Sequence, residues 1–382
     1  MKKLLFLTTW DFSDGPSVGI TKKIQAQIKT FENAGFEVDY TFISNGCMYL
    51  HEKNTDLNLG RVGKTRKIYG HMLLCKAMKV REYPFVYSRY GLMDTFYFCL
   101  LKLLYRKGSK IIVEIPTYPY DQECPKGIVW WGLYAWDKVG RTKLYRVVDR
   151  ILTYSEDDVI WGIPTIRTIN GVDFEAVRLR EINKKNDDVE MIAVAGLAMW
   201  HGYDRMIKGL GKYYQNSPKR IVKFHIVGDG PPLEGYRRLI GELHLEEYVK
   251  LYGVKFGAQL NEIYSYCDLA VDSLGAHRKG LYRCSTLKAR EYAAKGLPII
   301  SSLQSDIFKE DDYIWNVAPD DSDIDIDEIL AFYDHMYANT TKEMLAAEIR
   351  RKAQPVCDMK YTMRPAIVFF EKTVNDKRYS FR

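Results

Sequence analysis

Twice along the chain, short apolar runs of strand length alternate with segments whose apolar residues recur at helical spacing. That alternation restricts the fold more than any other feature. The first series opens with a strand-like run from Lys3 to Thr9, passes through Ile20, Ile24, Ile28 and Phe31 on one helical face, and closes at Gly35. Strand character returns from Phe36 to Phe42, which completes a βαβ unit. The theme recurs with Phe85 to Tyr90, a helical stretch to Tyr105, a turn at Lys107-Gly108 and the β-rich run Lys110 to Ile115. From Glu190 the pattern starts again. Met191 to Ala195 is a buried strand, and Met206, Ile207, Leu210 and Tyr214 line a helix face. Strand-like Ile221 to Val227, Tyr248 to Tyr252, Leu269 to Asp272 and Leu297 to Ser301 then alternate with helical segments. Strands apolar on both faces and joined by helices form parallel sheets, so the fold class is α/β with two doubly wound domains in series. The seam falls near Asn170-Gly171, giving domains over residues 1–170 and 171–360. A last segment, 361–382, contains a helical stretch from Pro365 to Lys377 placed to cross back onto the first domain.

A length of 382 residues suits two domains, and 47% hydrophobic with 27% charged residues excludes a disordered, collagen-like or low-complexity chain. Aromatic content is high at 13%, which favours flat binding surfaces or an interfacial role. Charge is divided unevenly: residues 1–170 carry +8 and the remainder −1. The first half therefore faces something anionic, either nucleic acid or a membrane surface, and nucleic acid is disfavoured because no binding module accompanies the charge. Seven cysteines without CxxC or framework spacing fit a reducing compartment, and a cytoplasmic location is expected. The apolar start ends at Thr8, Thr9 and Asp11, too short for a signal peptide, and no run is long enough to span a bilayer. Peripheral attachment to the inner face of the cell membrane stays open.

Four loops carry the candidate chemistry. Gly15, Ser17 and Gly19 lie in the first strand-to-helix loop, where free helix N–H groups attract an anion or a sugar hydroxyl; a plain tight turn explains them equally well. Gly228 and Gly230 follow a strand, but Pro231 and Pro232 remove the N–H groups a phosphate cradle needs, so the turn is read as one that lets a ligand pass close by. Trp200, His201 and Arg205 follow the first strand of the second domain, and His201 and Arg205 are expected to face the same phosphates. The richest stretch runs from His277 to Tyr292. Ser285 or Thr286 caps a helix beginning at Leu287, and the capped terminus with Arg278, Lys279 and Lys288 makes a site for a diphosphate. Projected on the helix, Glu291 falls beside Leu287 and Ala294 on the core-facing line, where its acceptor-only carboxylate suits the two hydroxyls of a ribose. An exposed helix with Lys288 and Glu291 paired at i,i+3 is the competing reading. Metal ligation is not expected. The acidic run Asp320 to Asp327 lacks the glycine turn of a calcium loop and reads as a solvated linker.

Taken together and in order, these pieces resemble glycosyltransferase family 4 of GT-B fold, particularly the bacterial capsule and exopolysaccharide enzymes. The resemblance rests on Gly15 to Ile20, Glu114 to Asp121, Asn170 to Asp173, Trp200 to Arg205, Gly228 to Gly230, and Leu287 through Pro298. It implies two Rossmann-like domains facing a central cleft, with no cofactor and a UDP- or GDP-sugar as donor. The nucleotide is held mainly by the second domain, and Glu291 matches the ribose-binding glutamate of the family's paired-glutamate motif. Its partner position holds Arg283, His201 stands where the family has a lysine, and Leu197 falls about where it has an arginine. Arg278, Lys279 and Lys288 restore the missing positive charge. In the mid N-domain loop, Thr117, Tyr118, Tyr120, Asp121 and Glu123 are left to touch the sugar or acceptor.

The implied activity is retaining, metal-independent transfer to a glycan or a polyprenyl-diphosphate-linked acceptor. Fixed cations and helix N-termini stabilise the charge that develops on the departing diphosphate. Two basic, aromatic segments suit an anionic leaflet: Lys64 to Arg81, and Lys126 to Arg146 with Trp130, Trp131 and Trp136. A nucleotide-sugar epimerase of the same architecture and a non-catalytic sugar-nucleotide-binding subunit are the alternatives.

Overall fold

The computed structural model describes residues 2–13, 18–63, 66–120, 127–183, 186–216, 218–308 and 313–375. The chain divides into two compact units: one runs to Ile169 and resumes at Met359, and the other is Asn170–Asp358.

In the first unit the order is β1 (Lys2–Leu7), α1 (Val18–Asn33), β2 (Phe36–Ser44), β3 (Cys47–Glu52), β4 (Thr55–Arg61), α2 (Arg66–Ala77), β5 (Phe85–Arg89), α3 (Thr95–Arg106), β6 (Lys110–Ile115), α4 (Ile128–Arg141), β7 (Arg150–Thr153), β8 (Val159–Ile160) and β9 (Ile163–Arg167). The described strands form one nine-stranded sheet, β4-β3-β2-β1-β5-β6-β7-β9-β8. Its centre is parallel, with Leu4 opposite Val38 on one side and Phe85 on the other. β2, β3 and β4 pair antiparallel, an edge extension that the apolar pattern does not announce because β4 is largely exposed. α4 is fastened by one carboxylate. Asp137, fully buried, accepts the Tyr120 hydroxyl at 2.6 Å, the Met93 N–H at 2.7 Å, the Tyr90 hydroxyl, and Arg141 at 3.3 Å. A buried carboxylate is tolerable only when surrounded by donors in this way.

The second unit comprises β10 (Val189–Val194), α5 (Tyr203–Gln215), β11 (Val222–Val227), α6 (Leu233–Glu242), β12 (Val249–Leu251), α7 (Gly257–Tyr266), β13 (Leu269–Val271), α8 (Leu287–Lys295), β14 (Ile299–Ser301), β15 (Ile314–Asn316), α9 (Ile326–Tyr337) and α10 (Lys342–Cys357). Its sheet is parallel throughout, in the order β12-β11-β10-β13-β14-β15. The order reverses between β10 and β13, where a doubly wound sheet leaves a crevice at the carboxyl ends of its strands. After Asp358 the chain adds α11 (Met359–Thr362) and α12 (Arg364–Asn375) to the first unit. Phe370 of α12 packs on Phe85, Phe31 and Phe36 at ring separations of 5.1, 6.1 and 6.2 Å.

Three glycines let loops of the second unit approach backbone to backbone. A Cβ on Gly228 would lie 1.8 Å from the Ala195 carbonyl, and one on Gly230 2.1 Å from that of Leu197. A Cβ on Gly202 would meet the Gly275 nitrogen at 2.4 Å. All three also have positive φ. Gly228→Ala is accordingly expected to destabilise the protein by about 2–5 kcal/mol in urea unfolding, combining overpacking with a strained φ. Gly235→Ala, in α6 with open space around it, is expected to stabilise by about 0.5–1 kcal/mol.

Candidate functional site

At the carboxyl ends of β10 and β13 two short loops are joined. The Leu274 N–H donates to the His201 carbonyl at 2.8 Å, and Gly202 lies against Gly275. Each loop contains a single 3-10 turn, Met199–His201 in one and Ala276–Lys279 in the other, ending at a glycine with left-handed φ. The turns bring Lys279 over the Trp200 ring, 3.3 Å from its centroid. α8 begins beside them. Thr286 is its cap, accepting the Ala289 N–H at 3.3 Å and donating to Asp272 at 2.9 Å. Farther along, the Tyr292 hydroxyl accepts the Val194 N–H at 2.8 Å and lies 3.3 Å from the Val271 carbonyl, fixing the helix to both strands.

The structure thus gathers His201, Lys279, Lys288 and the start of α8. Lys288 Nζ lies 3.0 Å from Ser273 Oγ and 3.2 Å from Asp272 Oδ1. His201 is 7% exposed and its Nδ1 accepts the Ala198 N–H at 3.0 Å, so the neutral ring carries its hydrogen on Nε2. Burial first, and then the positive charges of Lys288 and Lys279, push its pKa down to about 2. Two ammonium groups, a neutral N–H donor and a helix N-terminus form a site suited to an anion. Asp272 and Ser273 belong to this arrangement and the sequence reading missed them. The signal was an acidic and a hydroxyl residue immediately after an apolar strand, at its carboxyl end.

Other expectations need correction. Arg205 does not face an anion site: it is 1% exposed and its guanidinium donates to the carbonyls of Ser322 and Leu274 and to Asp320. Arg278 is held by Asp204 through two bonds of 2.9 and 2.8 Å, and by Asp321 at 2.7 Å, so its charge is already matched. The acidic run is solvated, as expected, but its carboxylates are also ion-pair partners. Asp320, Asp321, Asp323 and Asp327 pair with Arg205, Arg278, Lys212 and Lys219, and Asp325 caps α9. The close approach that Gly228 and Gly230 permit is to the protein's own backbone at Ala195 and Leu197. Ser285 is not the cap; its hydroxyl accepts the Asn170 N–H at 2.8 Å. Leu287 packs half-buried against the core. Glu291 is half-buried at the flank of α8's buried stripe, which centres on Ala289, Tyr292 and Ala293. Lys288 does not answer the i,i+3 pairing either, because its ammonium reaches Asp272 and Ser273.

In the first unit, Thr117 is exposed and the Tyr118 ring stands edge-on to Trp161 at 6.2 Å. Tyr120 is 7% exposed with its hydroxyl committed to Asp137, which removes it from the surface expected to meet an acceptor. Gly19 is exposed in the first turn of α1. Gly15, Ser17, Asp121 and Glu123 lie outside the described residues. A buried polar centre that the sequence reading did not single out surrounds Glu114. Its carboxylate accepts Lys23 at 2.9 Å, Arg89 at 3.0 Å and the Tyr154 hydroxyl at 2.7 Å on one oxygen, and the Tyr87 hydroxyl at 3.1 Å on the other. Burial opposes its ionisation, yet Lys23 and Arg89 hold its pKa at about 2.

Residues 189–335 match the family described as glycosyl transferases group 1. No curated protein matches the chain significantly in sequence. Among solved structures it is similar to sucrose-phosphate synthase from Thermosynechococcus elongatus, at 13% identity and TM-score 0.67 over 98% of this chain and 100% of that one. It is also similar to WaaG, a glycosyltransferase involved in lipopolysaccharide biosynthesis, at 13% identity and TM-score 0.62 over 96% and 99%. The Anabaena HepE protein in complex with UDP and glucose aligns over 100% of both chains at 13% identity and TM-score 0.59. The fold is thus the two-domain α/β architecture of GT-B glycosyltransferases, and the second unit is group 1 glycosyltransferase-like.

His201 gives this site a pH signature. The unfolded chain protonates it near its ordinary value of about 6.5, whereas the folded chain does so near 2. Its contribution to stability is therefore complete above about pH 6.5 and is lost as pH falls towards the folded value. Between about pH 7 and 5 the wild type should lose about 2 kcal/mol more than His201→Gln in urea unfolding.

Proposed function

We propose that the protein is a retaining glycosyltransferase that moves a sugar from a UDP- or GDP-sugar to a glycan or polyprenyl-diphosphate-linked acceptor in bacterial surface polysaccharide synthesis. The observation that carries this reading is that His201 lies within electrostatic range of Lys279 and of Lys288 in the first turn of α8, at the strand-order reversal of a GT-B second unit. The match of residues 189–335 to group 1 glycosyl transferases supports it, as does the UDP and glucose of the HepE complex. The role of WaaG in lipopolysaccharide biosynthesis supports the surface-polysaccharide assignment.

In this reading the donor diphosphate lies against Lys279, Lys288 and the His201 N–H. As the anomeric C–O bond breaks, the diphosphate takes its electron pair, and fixed positive charge stabilises the growing anion more than the ground state. The acceptor oxygen bonds to the anomeric carbon from the same face, and its proton passes to the leaving phosphate oxygen. The cations supply what a metal ion provides elsewhere. Glu291 accepts the ribose hydroxyls.

The acceptor's lipid gives α4 a role. Its Trp131, Trp136 and Val139 are 73%, 49% and 63% exposed, with Lys138, Lys143 and Arg146 exposed in the same stretch. Aromatic and basic side chains together suit the headgroup region of an anionic leaflet. Among the described residues no helix is long and apolar enough to cross a membrane.

Incubating the protein with labelled UDP- and GDP-sugars, with and without a membrane extract, should show transfer that depends on the extract. Extract-independent conversion of the donor, or binding alone, would defeat the assignment. Glu291→Ala should weaken donor binding by about 1.5–3 kcal/mol in calorimetry. On anionic vesicles the wild type should float at low salt and sink at high salt, while Trp131→Glu should sink in both. Equal flotation on neutral vesicles would reject the role of α4.

A further inference from the structure

The mechanism above uses Lys288 as a cation, yet that ammonium is mostly buried, with a side chain 18% exposed. Its other surroundings are largely neutral. His201 approaches from the loop after β10, while Cys284 and the Thr286 hydroxyl come from the segment leading into α8. On α8 itself Glu291 follows one turn later. Among the described residues the carboxylate at ion-pair distance is Asp272, whose Oδ1 lies 3.2 Å from Nζ, while Ser273 Oγ lies 3.0 Å away. Asp272 is 2% exposed, and its other oxygen receives the Thr286 hydroxyl at 2.9 Å and the Ser301 hydroxyl at 3.5 Å. Those two hydroxyls orient the carboxylate, so that one oxygen serves the helix cap and the other serves the lysine.

From this geometry, and resting on the glycosyltransferase reading for its purpose, we propose that Asp272 is a positioning residue. It keeps Lys288 an ammonium ion at the start of α8, where the donor diphosphate is bound. Burial lowers the proton affinity of the amine, and Asp272 opposes that loss. Without it, the desolvated amine would release its proton more readily as pH rises, and the site would lose a charge.

The charge of Lys288 is measurable without any substrate. Competitive acetylation with acetic anhydride across about pH 6 to 10, read for the Lys288 peptide by mass spectrometry, reports the midpoint of its deprotonation. In the wild type Lys288 is expected to stay protonated, and so protected from acetylation, at neutral pH; full reactivity there overturns the proposal with no variant needed. D272N should move the midpoint down by about one pH unit or more, whereas Ser273→Ala, which removes only the neutral partner, should leave it near the wild type. An unchanged midpoint in D272N overturns the proposal.

UDP affinity then tests the consequence. D272N should lose about tenfold more affinity than the wild type between pH 7 and pH 9, and D272N/K288R, whose guanidinium keeps its proton, should be flat. A double variant as pH-sensitive as D272N would show that Asp272 acts on the fold and not on the charge. If neither UDP nor GDP binds the wild type, the donor reading fails, while the acetylation midpoints still judge the Asp272–Lys288 pair.

Discussion

Close backbone contact at the carboxyl edge of the second sheet is the constraint from which the rest of the site follows. Gly202 against Gly275, Gly228 against Ala195 and Gly230 against Leu197 leave no room for a Cβ, and the Leu274 N–H to His201 carbonyl bond ties the two central loops together. Only because these loops meet does the histidine of one come within electrostatic range of both the lysine of the other and the lysine in the first turn of α8. Holding charge in a partly buried place is unfavourable. The fold offsets it with interactions arranged behind the site: the Asp272 carboxylate, the capping hydroxyl of Thr286 and the ring of Trp200 beneath Lys279.

The other cations of the same stretch serve a different end. Arg205, Arg278 and Arg290 bind carbonyls and carboxylates, and the acidic segment before α9 supplies several of those partners. A guanidinium can satisfy several acceptors in one plane, which suits it to fastening loops, whereas a lysine amine offers a compact charge to a ligand. The division of labour between arginine and lysine therefore follows from donor geometry. In the first unit a comparable economy appears at Glu114 and Asp137, where single buried carboxylates each gather hydroxyl and cationic donors from several elements.

Where sequence reading failed, the reason lies in contacts distant along the chain. Arg205 and Ser322 are separated by 117 residues, and Arg278 and Asp204 by 74. Nothing local marks these arginines as neutralised, so their proximity to a helix start made them appear available. Tyr120 was misplaced for the same reason, its hydroxyl belonging to an aspartate on the following helix. Glu291 was set on the core line by an idealised projection, but the true stripe turns with Tyr292, whose hydroxyl is bound to two strands. The β2–β3–β4 meander escaped notice because an exposed edge strand lacks the apolar run that identifies a buried one.

What the amino-acid order determined by itself is the pair of parallel α/β units. Burial on both strand faces leaves an apolar record at each position, and helical periodicity between those runs permits few other arrangements. It also placed the candidate chemistry on the loops after the strands, since glycines, a capping threonine and clustered cations are local features. Which cations remain for a ligand was decided only by tertiary structure. Charge is neutralised through space, and the carboxylates that claim Arg205 and Arg278 and support Lys288 reach them from other segments of the fold.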